Sequence, residues 1–335
     1  MTAAELPERH VATGALPRAE ELRRRVEEAH ARFGAVPDGA LSTVYPALSR
    51  ADPEAFGLCL AGVRGETLVA GDAGVPFTIM SVAKPFAFAL VCDAIGPEEA
   101  GRRIGVDATG LPFDALEAVT RIPDGRTNPM VNPGAIATVS LVPGGSADER
   151  WCWLHSGLSA FAGRPLPLDD EVYGSASATN RRNRELVAAL VAAGALERDP
   201  VEALDLYTRQ CCLAVTAGDL ALMGATLANG GVHPVSGSRV VSEEACHHTL
   251  VVMATAGLYE ASGSWLYDVG LPGKSGIGGG VVTVAPGKGA LGTFSPLLDA
   301  AGNSVRGVLA ATFLSRALGL DLFASRPAMQ EDRHP

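Results

Sequence analysis

The chain has 335 residues, 47% of them hydrophobic and 19% charged, with a formal net charge of -10. That length carries one large domain or two closely packed lobes, and the apolar fraction excludes a disordered chain. The acidic balance leaves no electrostatic footprint for nucleic acid or an anionic membrane, so neither is expected as a partner.

Residues 1–37 carry charge where an export signal needs an apolar run, and no later apolar stretch is long enough to span a bilayer. A cytoplasmic protein is therefore expected. The six cysteines, Cys59, Cys92, Cys152, Cys211, Cys212 and Cys246, show no metal-ligand spacing. They read as reduced, small core residues, and no metal or cofactor is expected.

In chain order, the spacing of Leu22, Val26 and His30 predicts a helix over 20–33, read as part of an N-terminal appendage covering 1–37. Two apolar runs at 56–63 and 66–70 around Arg64-Gly65 predict a β-hairpin. Residues 79–95 predict a buried helix whose first turn holds Ser81 and Lys84, with Pro85 tolerable near its start. Residues 98–250 read as mostly helical, with helices over 135–141, 183–196 and 216–229, the last capped by Thr216 with Asp219 three residues on. Short runs at 265–269, 280–284 and 290–295 predict strands, and Asn303-Ser304 caps a final helix through 314. The expected architecture is an α/β (α+β) domain over 38–316. A mixed, mainly antiparallel sheet comes from 38–80 and 251–316, flanked by helices. A mainly helical lobe covers 81–250, and a tail covers 317–335. A nucleophile at position 81 would lie where the two lobes meet, a common place for clefts.

Ser81-Val82-Ala83-Lys84 is an S-x-x-K tetrapeptide. Positions i and i+3 share a helix face, so the lysine can reach the serine oxygen. In an apolar helix start, desolvation favours the neutral amine, which can take the serine proton. Alone, the tetrapeptide recurs by chance as a capping serine and a surface lysine. Lys274-Ser275-Gly276 stands far downstream, before a Gly-rich run, and the pair S-x-x-K and K-[ST]-G marks penicillin-recognising serine acyl enzymes. Backbone N–H groups at such a Gly-rich edge can form an oxyanion hole.

A longer series follows in order: NPMVNPGAI at 128–136, LANGG at 227–231, GLYEASG at 257–263, GLPGKSGIGGG at 270–280, SPLLD at 295–299 and GNSV at 302–305. From about Gly39 to Ser315 the chain resembles the glutaminase family. The resemblance implies a serine β-lactamase/transpeptidase-like fold, no metal, hydrolysis of L-glutamine to glutamate and ammonia, and a homodimer or homotetramer. It makes Ser81 the nucleophile, Lys84 its activator and Tyr259 a proton shuttle with Tyr207 beside it. It makes Asn132 and Asn183 substrate ligands, and the N–H groups of Ser81 and Ile277 the oxyanion hole.

The chain departs from the family at several places. Met80 stands for Gln, Ala176 for the glutamate that receives the substrate's α-ammonium, Val44 for Tyr, and Asp107-Ala108-Thr109-Gly110 for Glu-Pro-Ser-Gly. Ile277 replaces Val, harmlessly if only the backbone acts. The acyl-transfer residues are retained while the amino-acid clamp is partly lost, unless another acid such as Glu171 or Glu260 replaces it. The competing readings are a serine amidase or esterase for a less polar substrate, and a non-catalytic binding protein on this fold. A β-lactamase or transpeptidase fits less well without an export signal.

Overall fold

The computed structural model describes residues 16–325. The first part of the leader, on which the export-signal reading partly rests, and the tail beyond 325 lie outside the described residues.

The chain opens with α1 (Ala19–Phe33), followed by the antiparallel hairpin β1 (Gly57–Gly62) and β2 (Thr67–Gly71). A two-residue strand, β3 (Phe77–Thr78), leads through a 3-10 turn at Met80–Val82 into α2 (Ala83–Ile95). Then come α3 (Pro97–Ile104), α4 (Glu117–Thr120), α5 (Asn132–Ser140), α6 (Ala147–Ala162), α7 (Asp170–Thr179), α8 (Arg181–Ala192) and α9 (Pro200–Cys211). The short strand β4 (Ala214–Val215) precedes α10 (Ala217–Ala228), α11 (Glu243–Ala256) and α12 (Ser262–Val269). The strands β5 (Gly273–Ser275), β6 (Gly280–Ala285) and β7 (Gly289–Phe294) and the helix α13 (Val305–Ala317) complete the fold.

The two ends of the chain meet in one five-stranded sheet of order β2-β1-β7-β6-β5. Every pairing in it is antiparallel, so the expected mixed sheet is purely antiparallel. Strands β1, β6 and β7 are buried along their whole length, because helices cover both faces. This is why they read as continuous apolar runs rather than alternating ones. On one face α10 rests directly on β7: a Cβ at Gly292 would lie 2.2 Å from Ala217 O and 2.6 Å from Ala221 N. The start of α10 is fixed by a reciprocal capping box between Thr216 and Asp219, and Arg164 forks onto the same carboxylate at 2.8 and 2.6 Å.

The other face carries a second apolar cluster in which Leu22, Val26 and Ala29 of α1 pack with Leu58, Leu60, Leu291, Ala311 and Leu314. Residues 19–33 therefore form part of the sheet's helical cover rather than an appendage. Leu318 and Leu320 are buried in the same cluster, so the tail begins inside the fold. The strand expected at 265–269 is the helix α12, where Trp265 and Val269, four apart, share the buried face. Its neighbour β5 holds the lysine of the K-S-G motif. Five of the six cysteines are buried as expected; Cys152 is exposed on α6.

Leu22 is 2% exposed. Leu22→Ala is expected to lower the unfolding free energy by about 2–5 kcal/mol, read as a shift of the urea midpoint at constant slope. An unchanged midpoint would restore the appendage reading.

Candidate active site

Ser81 is positioned from two sides. Upstream, β3 pairs with β4, and Ile79 N–H donates to Leu213 O at 2.9 Å, so the chain is clamped immediately before the serine. Downstream, α2 begins at Ala83. Between them Met80 takes a φ of +47°, one of two positive values at non-glycine residues among the described residues; the other is Tyr259 at +58°. Left-handed backbone at such residues persists only where its surroundings enforce it. Both lie at one cavity.

That cavity measures about 400 Å³, and its wall includes Ser81, Asn132, Asn183, Tyr207, Tyr259 and Ile277. Six of the seven expected site residues thus line one space, and Lys84, 1% exposed, lies behind the wall. The Gly-rich segment reaches the serine closely: a Cβ at Gly276 would stand 3.1 Å from Ser81 N. Among the described residues neither Ser81 N–H nor Ile277 N–H donates to a backbone carbonyl, so both remain available to a ligand oxygen.

The motif N-P-M-V-N-P-G has a local explanation. Asn128 Oδ1 accepts Met130 N–H at 3.0 Å, a turn that presents Met130 O inward. Asn132 then opens α5, its own N–H donating to Phe113 O at 2.7 Å. Lys84 Nζ donates to Met130 O at 3.0 Å and to Asn132 Oδ1 at 2.7 Å, rather than to Ser81. Burial lowers the Lys84 pKa to about 7, against smaller raising effects of Cys211 and Asp114. A neutral amine has two N–H donors and one lone pair. Both donors are engaged here, so the lone pair is left to accept a proton.

Ser81 and the Tyr259 phenol share the cavity wall. Burial raises the Tyr259 pKa, with Ser81 opposing it, and burial raises that of Tyr207 as well. Both phenols stay protonated. The Tyr207 hydroxyl donates to Asn132 Oδ1 at 2.9 Å. Lys274 is fully buried, donates to Ser275 O at 2.7 Å and sits 4.0 Å from the centre of the Tyr259 ring. Lys84 Nζ is 5.3 Å from the same centre. Burial, then repulsion from Lys84, lowers the Lys274 pKa well below the usual lysine value.

A directed amide chain extends from the lysine. Asn132 Oδ1 already accepts two bonds, so its Nδ2 donates to Asn183 Oδ1 at 2.9 Å. Asn183 Nδ2 donates to Asn180 Oδ1 at 2.6 Å, and Asn180 Nδ2 to Thr208 Oγ1 at 3.0 Å. Asn180 was not foreseen, although its position three residues before Asn183 signals a shared helix face. Tyr45 also lines the cavity, beside Val44 and facing the same space as Asn183. An aromatic hydroxyl thus enters from the position next to the one where the resemblance expects it. Asp114 lines the cavity too, and no sequence pattern pointed to it.

Ala176 is 1% exposed within the core, and neither suggested substitute acid lies in the cavity wall. Glu171 is exposed and ion-paired with Arg50, and Glu260 is exposed. Neither is placed to replace the missing glutamate.

Residues 39–323 match the family model described as Glutaminase. The chain is 58% identical over 323 residues to Glutaminase 2 of Yersinia pestis, covering 96% of this chain and 95% of that one. It is 45% identical to the glutaminase of Brucella abortus strain S19, covering 91% and 96%. Among solved structures, a probable glutaminase, ybaS, superposes with a TM-score of 0.90 at 37% identity, covering 92% of this chain and all of that one. Mglu in its glutamate form superposes with a TM-score of 0.85 at 39% identity, covering 91% and 70%. With its five-stranded antiparallel sheet, its Ser81 and Lys84 at one cavity and these likenesses over nine-tenths of its length, the chain belongs to the glutaminase family.

Proposed function

We propose that this protein hydrolyses L-glutamine to L-glutamate and ammonia through an acyl-enzyme on Ser81. The observation that carries the reading is a serine hydroxyl in the cavity wall beside a buried lysine amine whose two hydrogen bonds leave its lone pair free. Family membership supports glutamine as substrate, and among the superposable structures is Mglu in its glutamate form.

In the first half-reaction Ser81 Oγ attacks the carboxamide carbon and passes its proton to Lys84 Nζ. The carbonyl oxygen gathers negative charge and is received by the Ser81 and Ile277 N–H groups. The C–N bond then breaks. The Tyr259 phenol gives its proton to the departing nitrogen and is refilled from Lys84, leaving an ester and ammonia. In the second half-reaction a water attacks the ester, its proton returns by the same groups to Ser81 Oγ, and glutamate leaves. Asn132, Asn183 and Tyr207 hold the amino-acid end.

The protein is read as a cytoplasmic homodimer or homotetramer. Among the described residues all six cysteines are free, which suits a reducing compartment, and the assembly follows the family resemblance. Light scattering should return two or four chain masses; a monomer mass at high concentration would remove that part.

Ammonia release from purified protein and L-glutamine is the primary test. Ser81→Ala is expected to cut turnover about a thousandfold or more, and Lys84→Met comparably. Activity within tenfold of the parent in either variant would remove the acyl-enzyme assignment. The pH profile provides a separate check. With its pKa lowered to about 7, Lys84 is charged only below that value, and the charged form cannot take a proton. kcat/KM should therefore fall as pH drops through about 7, approaching tenfold per unit below it. A flat profile between pH 8 and 5 would exclude Lys84 as the base.

A further inference from the structure

The cavity wall holds four charged side chains: Asp114, Arg181, Arg182 and Glu185. Glu185 is neutralised twice, by Arg181 Nε at 3.1 Å and Arg182 Nη1 at 3.0 Å. The Arg182 Nε hydrogen goes to the backbone oxygen of Asp114 at 2.9 Å, while the Asp114 carboxylate lies 3.8 Å from that nitrogen, beyond hydrogen-bond length. Among the described residues the Asp114 carboxylate accepts no hydrogen bond, although it is half-buried at the cavity.

Its position is fixed by its neighbours. The carbonyl of Phe113 accepts Asn132 N–H, and the Phe113 ring packs on Tyr259 with centres 5.3 Å apart. The backbone oxygen of Asp114 is held by Arg182, as above. Asp114 also acts electrostatically on Lys84, Tyr259 and Tyr45, so its charge is felt across the cavity.

We propose that Asp114 receives the α-ammonium of the substrate and sets the preference for an amide that carries one. The inference rests on the glutamine hydrolysis proposed above. An α-amino acid brings an ammonium that needs an anionic partner once desolvated. Asp114 is the carboxylate of the cavity wall whose oxygens accept no hydrogen bond among the described residues, its charged neighbour Arg182 standing 3.8 Å away. Its backbone anchors hold it without occupying those oxygens.

The test compares kcat/KM for L-glutamine with that for glutaramate (glutamine without its α-amino group) in the parent, Asp114→Asn and Asp114→Glu. Hydrogen bonds to charged groups set the scale, so Asp114→Asn should lower kcat/KM for glutamine by about 10–100-fold. The ratio of glutamine to glutaramate kcat/KM should fall by the same order, because any effect of the lost charge on Lys84 acts on both substrates alike, and an unchanged circular dichroism spectrum shows that the variant is folded. Asp114→Glu, which keeps the charge, should retain most of the preference for glutamine. Equal losses on both substrates would make Asp114 a support for Lys84 and Tyr259 and overturn the assignment. So would no loss on either, or a parent that uses both substrates equally well. A parent that releases ammonia from neither would instead overturn the hydrolytic reading itself.

Discussion

The site is built around a buried lysine amine that, among the described residues, makes no hydrogen bond to a carboxylate. Placing an ammonium in an apolar interior costs several kcal/mol, and proteins avoid that cost by keeping the group neutral. Lys84 projects from the first turn of α2 toward the start of α5, where its acceptors are a carbonyl and an amide, both uncharged. An acid in place of Asn132 would pair with the lysine and hold its proton. The neutral amide does the opposite: it orients the amine and leaves it basic near neutral pH. The packing of α2 against α5 and of α5 against α9 brings Asn132 within reach of both Lys84 and Tyr207.

The same amine sets the direction of the polar network. A lysine can only donate to Asn132 Oδ1. That choice turns the amide so that its Nδ2 faces Asn183, and the orientation passes through Asn180 to Thr208, whose hydroxyl ends on Leu204 O at 2.7 Å. The buried amides are therefore satisfied in one sense only, and the hydrogen-bonded asparagines of the cavity wall are tied to α9 through Tyr207 and Thr208. Backbone strain completes the arrangement. The left-handed conformations at Met80 and Tyr259 turn the chain sharply beside Ser81 and at the phenol. The β3–β4 pair on one side and the 3-10 turn at Tyr259–Ala261 on the other keep those conformations in place.

Much of this was legible in the residues. Ser81 and Lys84 were marked by the S-x-x-K spacing only together with the downstream K-S-G, Asn132, Tyr259 and Ile277 by the ordered motifs that hold them, and Asn183 and Tyr207 through the family resemblance that those motifs carry. All now stand at or behind one cavity wall. What stayed hidden depended on tertiary context. The segment 265–269 is short and apolar, and periodicity cannot separate a strand from one and a half helical turns; its Trp265–Val269 face decides it only once a sheet is there to pack on. The apolar face of residues 19–33 was visible in the spacing of Leu22 and Val26, but nothing in the local pattern named the sheet that it covers. Asp114 sits in an irregular stretch whose residues carry no periodic signal, and its place at the cavity comes from Phe113 meeting Asn132 and Tyr259.

Two buried amines share the Tyr259 ring, and this limits how protons can be stored. Lys274 lies against one face at 4.0 Å, Lys84 addresses the ring at 5.3 Å, and each charge would raise the cost of the other. The pair can hold one proton far more readily than two. In the proposed cycle the proton taken from Ser81 arrives on Lys84, and that charge makes Lys274 a still poorer acceptor. The second amine therefore cannot drain the proton away. The remaining outlet is the Tyr259 phenol, which burial keeps protonated and which adjoins Ser81. A proton placed on Lys84 is thereby directed to the group next to the departing nitrogen, and the neutral Lys274 contributes by keeping the alternative closed.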